Sequence, residues 1–241
     1  MSLTTVAVAV VLGFAAAVQM ASGFGFALVS VPLLALVVGP HEAVLLALVM
    51  GTVFNGWQAV EGRRLVDRPV AARILVGAGL GMPVGYLLYR TLGAESLTVV
   101  VGVLVLAAAA SLWRGWSLPA AGPVTDVVTG LFTGVLTTST ATNGPPVVTL
   151  LHARGLAPEA FRAMATSLFL VLDLVAVCLY AGTGDLGAEE AVRAVVVLPV
   201  VVGGGFVGYR ARHLLSPAGF RRVVLLLLAA TGVAAVVAGL S

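Results

Sequence analysis

The sequence contains no lysine, a single cysteine and few charges of either sign, with charged residues making up only 10% of its 241 positions. Without lysine there is no lysine-cradled phosphate loop, so ATP hydrolysis within this chain is excluded. The lone Cys178 rules out an intrachain disulfide framework and a dithiol redox pair. Within its apolar run it reads as a small buried hydrophobe. Arginine supplies all thirteen basic side chains. They are spread over several loops, so the pI near 9.6 suits anionic lipid headgroups and offers nucleic acid no basic stripe. His41-Glu42 and His152 lack the spacing of a metal site, and neither metal nor cofactor is implied.

Enzyme signatures are missing too. No His-Glu-x-x-His and no serine elbow occurs. Gly182-Thr183-Gly184-Asp185 fits a Gly-x-Gly-Asp protease pattern, but Asp185 opens an acidic loop with Glu189 and Glu190 and belongs in water. Gly203-Gly204-Gly205-Phe206-Val207-Gly208 fits a dinucleotide glycine pattern yet lies inside an apolar run with no preceding strand. No enzymatic activity follows from these residues.

What is present is apolar. Hydrophobic residues make up 60% of the chain and the mean hydropathy is +1.13, which leaves too little polar surface to clothe a soluble domain. At about 20 residues per crossing of a roughly 30 Å hydrocarbon layer, the chain holds about 8–10 membrane segments and little else. The expected fold is an all-α polytopic membrane protein. Residues 1–18 lack the basic start and cleavage site of a signal peptide and read as a retained first segment.

The apolar runs fall into two sets of five. The first set is 3–21, 24–38, 42–60, 70–92 and 97–113; the second is 124–137, 146–151, 159–181, 191–209 and 220–240. In each set the second run is short and is entered through Gly, Ser, Thr or Asn instead of a polar loop. Ordered matches support a duplication. Pro32 with Gly39-Pro40 and Glu42-Ala43 corresponds to Pro146 with Ala157-Pro158 and Glu159-Ala160, and Gly85-Tyr86 corresponds to Gly208-Tyr209. The expected organisation is a first repeat at 1–115, a linker at 116–123 and a second repeat at 124–241.

Arginine placement orients the halves. Loops bearing Arg63, Arg64, Arg68, Arg114, Arg154, Arg210, Arg212, Arg221 and Arg222 are expected on the cytoplasmic side, and the loop with Asp185, Glu189 and Glu190 outside. The run ending at Val60 then travels inward while its partner, 159–181, travels outward. The repeats are therefore inverted and both termini lie outside. Inverted repeats with interrupted helices are a recurrent plan of secondary transporters, with the binding site between the repeats.

Non-helical backbone at membrane depth is tolerated only where protein or a water-filled cavity satisfies it, so both breaks should line something polar. The first break, Ser22-Gly23-Phe24-Gly25-Phe26, offers mostly glycine backbone. The second, Thr137-Thr138-Ser139-Thr140-Ala141-Thr142-Asn143-Gly144-Pro145-Pro146, offers hydroxyls, an amide and close backbone approach. Helix N-termini after both breaks would direct free N–H groups and positive dipole ends at an anion. The candidate substrate-binding residues are Ser22, Gly23, Gly25, Thr138, Ser139, Thr140, Thr142, Asn143 and Gly144. The series Gly77, Gly79, Gly81, Gly85 and the cluster Gly203, Gly204, Gly205, Gly208 read as close-packing positions instead.

A carboxylate at membrane depth costs about 2.5–3.5 kcal/mol on insertion scales and is usually functional. Asp173 lies well inside the 159–181 run, too short to snorkel, and Asn55 falls near the equivalent place in the first half. Asp173 is expected to bind a coupling proton or to stabilise the cavity, and a plain helix–helix hydrogen bond is the alternative. Arg162 and Glu159, at the start of that run, pair one turn apart or face the headgroups, with an electropositive gate at Arg162 as the second reading.

Gly23-Phe24-Gly25-Phe26 leading to Pro32, together with Thr138 to Pro146 leading through His152-Ala153-Arg154-Gly155 to Phe161-Arg162-Ala163, resembles the TauE/SafE sulfite exporter family, also called TSUP permeases. The resemblance covers the whole chain. It implies a bacterial-type permease of the inner membrane for sulfur-containing anions such as sulfite, thiosulfate or organosulfonates. The expected partners are a small anion, the lipid bilayer and, as coupling ion, the proton, with a homodimer possible. A channel and a non-transporting binding or assembly protein are the other readings of the same features.

Overall fold

A computed structural model describes residues 2–22, 26–114, 122–211 and 217–240. Among these residues the chain forms ten α-helices and one 3-10 turn, and no strand. In the first half, α1 spans Leu3–Ser22, α2 Phe26–Val38, α3 Pro40–Gly62, α4 Arg68–Thr91 and α5 Ala94–Arg114. In the second, α6 spans Pro123–Thr140, α7 Gly144–Ala153, α8 Pro158–Thr183, α9 Ala188–Ala211 and α10 Pro217–Leu240. Seven of the described helices are long and apolar enough to cross a membrane: α1, α3, α4, α5, α8, α9 and α10.

The apolar pattern explains why these segments are helices. With no water in the bilayer core, only a helix pairs its backbone groups within one segment. Prolines stand in the first turn of α3, α4, α6, α7 and α8, where a missing N–H costs nothing. Side chains such as Leu80, Leu87 and Phe132, 63%, 61% and 59% exposed, form the outward face that lipid covers. Cys178, expected to be buried, is exposed; its position in α8 turns away from the protein interior.

The helices pair across the halves. The α4–α6 contact is the most extensive, followed by α1 with α9, α5 with α10 and α3 with α8. Glycine makes the first two possible. A Cβ on Gly77, Gly81 or Gly85 of α4 would run into the carbonyls of Val127, Leu131 and Val135 of α6, and one on Gly130 or Gly134 into those of Ile74 and Ala78. In α9, Gly204 and Gly208 meet the carbonyls of Gly13 and Ala17 in α1, and Gly205 meets the Phe54 ring. Gly79 and Gly203 have nothing within 4 Å, so the packing role belongs to the four-residue spacing and not to every glycine. Gly81→Ala is expected to destabilise the fold by about 1–3 kcal/mol through overpacking. Gly79→Ala should leave the thermal midpoint of the solubilised protein unchanged.

These contacts also give directions. Successive glycines of α4 meet successive carbonyls of α6 in the same order, so the two helices are parallel, as are α9 and α1. Arg154, just past α7, bonds Asp126 in the first turn of α6 at 2.5 Å, so α6 and α7 form a hairpin that returns to the end where it began. Arg193 near the start of α9 pairs with Glu42 near the start of α3. Because α1 runs parallel to α9, it starts at the end where α2 finishes. Each short helix is thus the returning arm of a hairpin, and the two hairpins enter from opposite ends of the bundle.

Candidate functional site

The site forms where the hairpin tips approach each other. A cavity of about 40 Å³ is lined by the end of α1 (Gln19), the start of α2 (Phe26, Ala27, Leu28), the α6–α7 break (Ala141, Thr142, Asn143, Gly144) and the middles of α3 and α8. About 10–15 Å³ of such space holds one water, so it has room for a few waters or one small polyatomic ion.

Its polar wall is a chain of amides on a carboxylate. Asn55 Nδ2 donates to Asp173 Oδ2 at 2.9 Å and Asn143 Nδ2 donates to Asp173 Oδ1 at 3.0 Å. Gln19 Nε2 reaches Asn55 Oδ1 at 3.4 Å. All four side chains are buried. Gly51 makes room for the carboxylate, since a Cβ there would stand 2.6 Å from Asp173 Oδ2. Both carboxylate oxygens are thus satisfied in a place where an unpaired charge would be prohibitive. Gln19 Oε1 is buried without a hydrogen-bond partner and is a free acceptor on the cavity wall.

The structure divides the expected site residues. Thr142, Asn143 and Gly144 line the cavity together with Asn55 and Asp173. Gly23 and Gly25 lie outside the described residues, as does the side chain of Ser22 at the last position of α1. Thr137 to Thr140, expected in the break, form the last turn of α6. Their hydroxyls explain the difference. Each donates back to the carbonyl four residues earlier, Thr137 to Thr133, Thr138 to Gly134, Ser139 to Val135 and Thr140 to Leu136, a bond that lets a hydroxyl remain inside a membrane helix. Thr138 Oγ1 also donates to Met82 O. Thr138, Ser139 and Thr140 therefore stand behind the cavity and do not line it.

Ala141 closes α6 in the left-handed region at φ 56°, alone among the described non-glycine residues. Such a conformation costs about 1–2 kcal/mol, and it turns the chain so that Asn143 faces Asp173. The expectation of free N–H groups at both helix starts needs correction for α7. Positions 145 and 146 are prolines and carry no N–H, so only Gly144 and Val147 in its first turn can donate. On the other side, Phe26, Ala27 and Leu28 of α2 line the cavity. The first half thus supplies Gln19 and Asn55 and the second half Asn143 and Asp173.

Three groups were not anticipated from the pattern of residues. Gln19 is one polar residue at the end of an apolar run. Asp126 is fully buried and takes Arg73 at 2.8 Å and Arg154 at 2.5 Å, tying the α6–α7 hairpin to α4. Tyr86, Tyr89 and Tyr180 pack edge to face, with ring centroids 5.6 and 4.8 Å apart about Tyr180. The Tyr180 hydroxyl donates to Thr138 O, and the His41 ring binds Tyr89 O at 3.0 Å. These rings pack together at the end of the molecule that carries Asp185.

Asp185 is tied into this cluster. Tyr86 OH and Thr183 Oγ1 donate to it at 2.7 and 2.8 Å, and Arg90 stands 3.8 Å away. Partial burial pushes its pKa up, but the bonds from Tyr86 and Thr183 and the Arg90 and His41 charges outweigh burial and hold it below the ordinary carboxylate value. A depressed folded value means that the contribution is complete above the unfolded pKa of about 3.9 and is lost as pH falls through the lower folded one. These contacts are expected to be insensitive to pH from 7 down to about 4 and to loosen below. Asp185→Asn should loosen them at pH 7, read as faster hydrogen–deuterium exchange of residues 183–190.

A second cavity, of about 590 Å³, lies at the opposite, arginine-rich end, lined among others by Met20, Trp57, Gln58, Gly62, Arg162 and Tyr209. Arg162 therefore faces this space and not the small cavity, and it forms no ion pair with Glu159 among the described residues. Thr166 lines both cavities. No cluster of metal-binding side chains occurs among the described residues.

The model of the family "Sulfite exporter TauE/SafE" matches residues 8–235. The chain belongs to the TauE/SafE family. A relative from Cupriavidus necator, named as a probable sulfite/organosulfonate exporter TauE, is 26% identical over 212 residues, covering 85% of this chain and 83% of the relative. No solved structure matches the chain. Family membership and the apolar helices make the protein a multi-pass membrane transporter of sulfur-containing anions and not an enzyme.

Proposed function

We propose that the protein is a secondary permease that carries small sulfur-containing anions, with sulfite, thiosulfate and organosulfonates as the candidate class, by alternating access between two inverted repeats and in step with protons. The observation that carries this reading is the small cavity between the tips of two oppositely entering hairpins, one from each half, against the buried Asn55–Asp173–Asn143 cluster.

Helix register supports the repeat. Gly81 and Gly85 meet the carbonyls of Leu131 and Val135 as Gly204 and Gly208 meet those of Gly13 and Ala17. The shift of 118 residues that relates Gly13 to Leu131 also relates Phe26 to Gly144, the starts of α2 and α7, and Asn55 to Asp173. Applied to the Asp185 end, it relates Tyr180 to Gly62 and Thr138 to Met20, while Tyr86 answers to Tyr209 through the matched Gly-Tyr pairs. Gly62, Met20 and Tyr209 all line the wide cavity. The same three positions are thus packed together at one end and apart at the other, which suits one state of an alternating-access cycle. With arginines concentrated at the wide end, that end is cytoplasmic in this reading and both termini are outside.

Asp173 links anion to proton. An ionised carboxylate about 4 Å from an anion opposes it by about 4 kcal/mol at an effective dielectric of 20. Protonation removes the repulsion and turns one oxygen into a donor. Anion and proton then each strengthen the other's binding, and the linkage is reciprocal. The cavity volume favours the smaller members of the class, sulfite above a two-carbon sulfonate.

Sulfite flux into vesicles containing the purified protein tests the proposal. Accumulation that follows an imposed proton gradient supports a permease; flux that only dissipates a sulfite gradient points to a channel, and absence of flux to a binding protein. Reagent access to tags at the two termini tests the orientation, and either terminus found in the cytoplasm contradicts it.

A further inference from the structure

Two polar groups at the wide cavity have no side-chain partner among the described residues. The exposed Arg162 guanidinium makes no hydrogen bond or ion pair with any described residue. Gln58 Nε2, on the facing helix α3, is buried and has no partner. Both line the cavity, with apolar Met20 and Phe206 among its walls. A guanidinium beside low-dielectric walls acts over a longer range than one in open water.

The face of α8 connects this cavity to the small one. Arg162, Thr166, Phe169 and Asp173 are spaced by four, three and four residues, which at 3.6 residues per turn places them in one stripe. Thr166 belongs to both cavities, and its hydroxyl is bonded back to Arg162 O at 2.8 Å. Eleven residues of helix rise about 16 Å, so Arg162 and Asp173 are too far apart to hold the same small anion. They mark two places along one path.

We propose that the wide cavity is a separate, first binding station for oxyanions. The planar fork of Arg162 takes two oxygens of a sulfite-like anion, the geometry in which arginine outperforms lysine. Glu159, three residues before Arg162, is the other charged side chain on the described wall. The described wall is therefore close to neutral, and an anion held there is held weakly enough to leave, as a transit site requires. As a station on the way to Asp173 it rests on the permease reading; as a binding site it does not.

Trp57 lies in the same cavity and reports on it once Trp113 and Trp116 are replaced by phenylalanine. The experiment is a sulfite titration of the full-length purified protein, read by Trp57 emission, with sulfite flux measured in vesicles alongside. Arg162→Gln should weaken the apparent affinity about tenfold or more, the loss of a charge-assisted pair, and Arg162→Lys should fall between. Asp173→Asn should shift the Trp57 titration by less than about twofold, because a change this far away couples weakly. A folded Arg162→Gln protein that titrates as the parent does overturns the station and leaves the permease reading standing if flux persists. A parent protein with Arg162-dependent titration but no flux keeps the station and overturns the permease reading.

Discussion

Asp173→Asn is expected to abolish proton-driven accumulation of sulfite while leaving downhill exchange measurable. Asparagine keeps the size of the side chain and one acceptor for the amides of Asn55 and Asn143, which donate to Asp173 at 2.9 and 3.0 Å, but it cannot change charge. It imitates the protonated carboxyl, so the anion still binds. What disappears is the coupling, and uptake driven by a pH gradient should fall by about tenfold or more, the scale of losing an interaction of about 1.4 kcal/mol or greater. Asp173→Ala should stop both modes, because it leaves two buried amides without their acceptor, at about 1–3 kcal/mol each. Flux of Asp173→Asn measured from pH 5.5 to 8 decides the matter. An unchanged pH dependence removes the proton role and leaves Asp173 as a structural hydrogen-bond partner.

The second large effect is on stability. Asp126 is fully buried between Arg73 and Arg154, whose side chains are 35% and 19% exposed. Removing the carboxylate with Asp126→Ala leaves two partly buried guanidinium groups uncompensated. Breaking a buried pair in this way costs about 3–5 kcal/mol. At about 2–4 °C per kcal/mol for a chain of this length, that lowers the melting temperature by on the order of 10 °C. The loss should be concentrated in the α6–α7 hairpin, since Arg154 sits just past its returning arm. Scanning calorimetry of the solubilised protein measures it, and a melting temperature within about 2 °C of the parent, under one kcal/mol, would show that the triad is not what holds the hairpin to α4.

The helices were largely legible in the sequence because the bilayer imposes so few solutions. The apolar run at 42–60 became α3, Pro40–Gly62, and the run at 159–181 became α8, Pro158–Thr183. Even the two short runs were visible as α2 and α7. Asp173 and Asn55 stood out for the same reason, as polar side chains where polarity is costly. The hydroxyl cluster at Thr137 to Thr140 misled because serine and threonine have two ways to live at depth, on a ligand or on their own helix. Only backbone geometry distinguishes these, and here the helix takes all four. Asp126 with Arg73 and Arg154 was not legible, since those partners lie 53 and 28 residues away in the chain and no periodicity announces them. The Tyr86–Tyr180 contact is of the same kind, 94 residues apart in the sequence and joined only by tertiary packing.

The central claim is that an anion binds where the two hairpin tips meet. Selenite, the heavier analogue of sulfite, makes this visible by anomalous diffraction from crystals of the protein. The account predicts a peak inside the small cavity, beside Asn143 and Asp173 and the α2 residues Phe26 to Leu28. Selenite transported by the protein but absent from that cavity would contradict it.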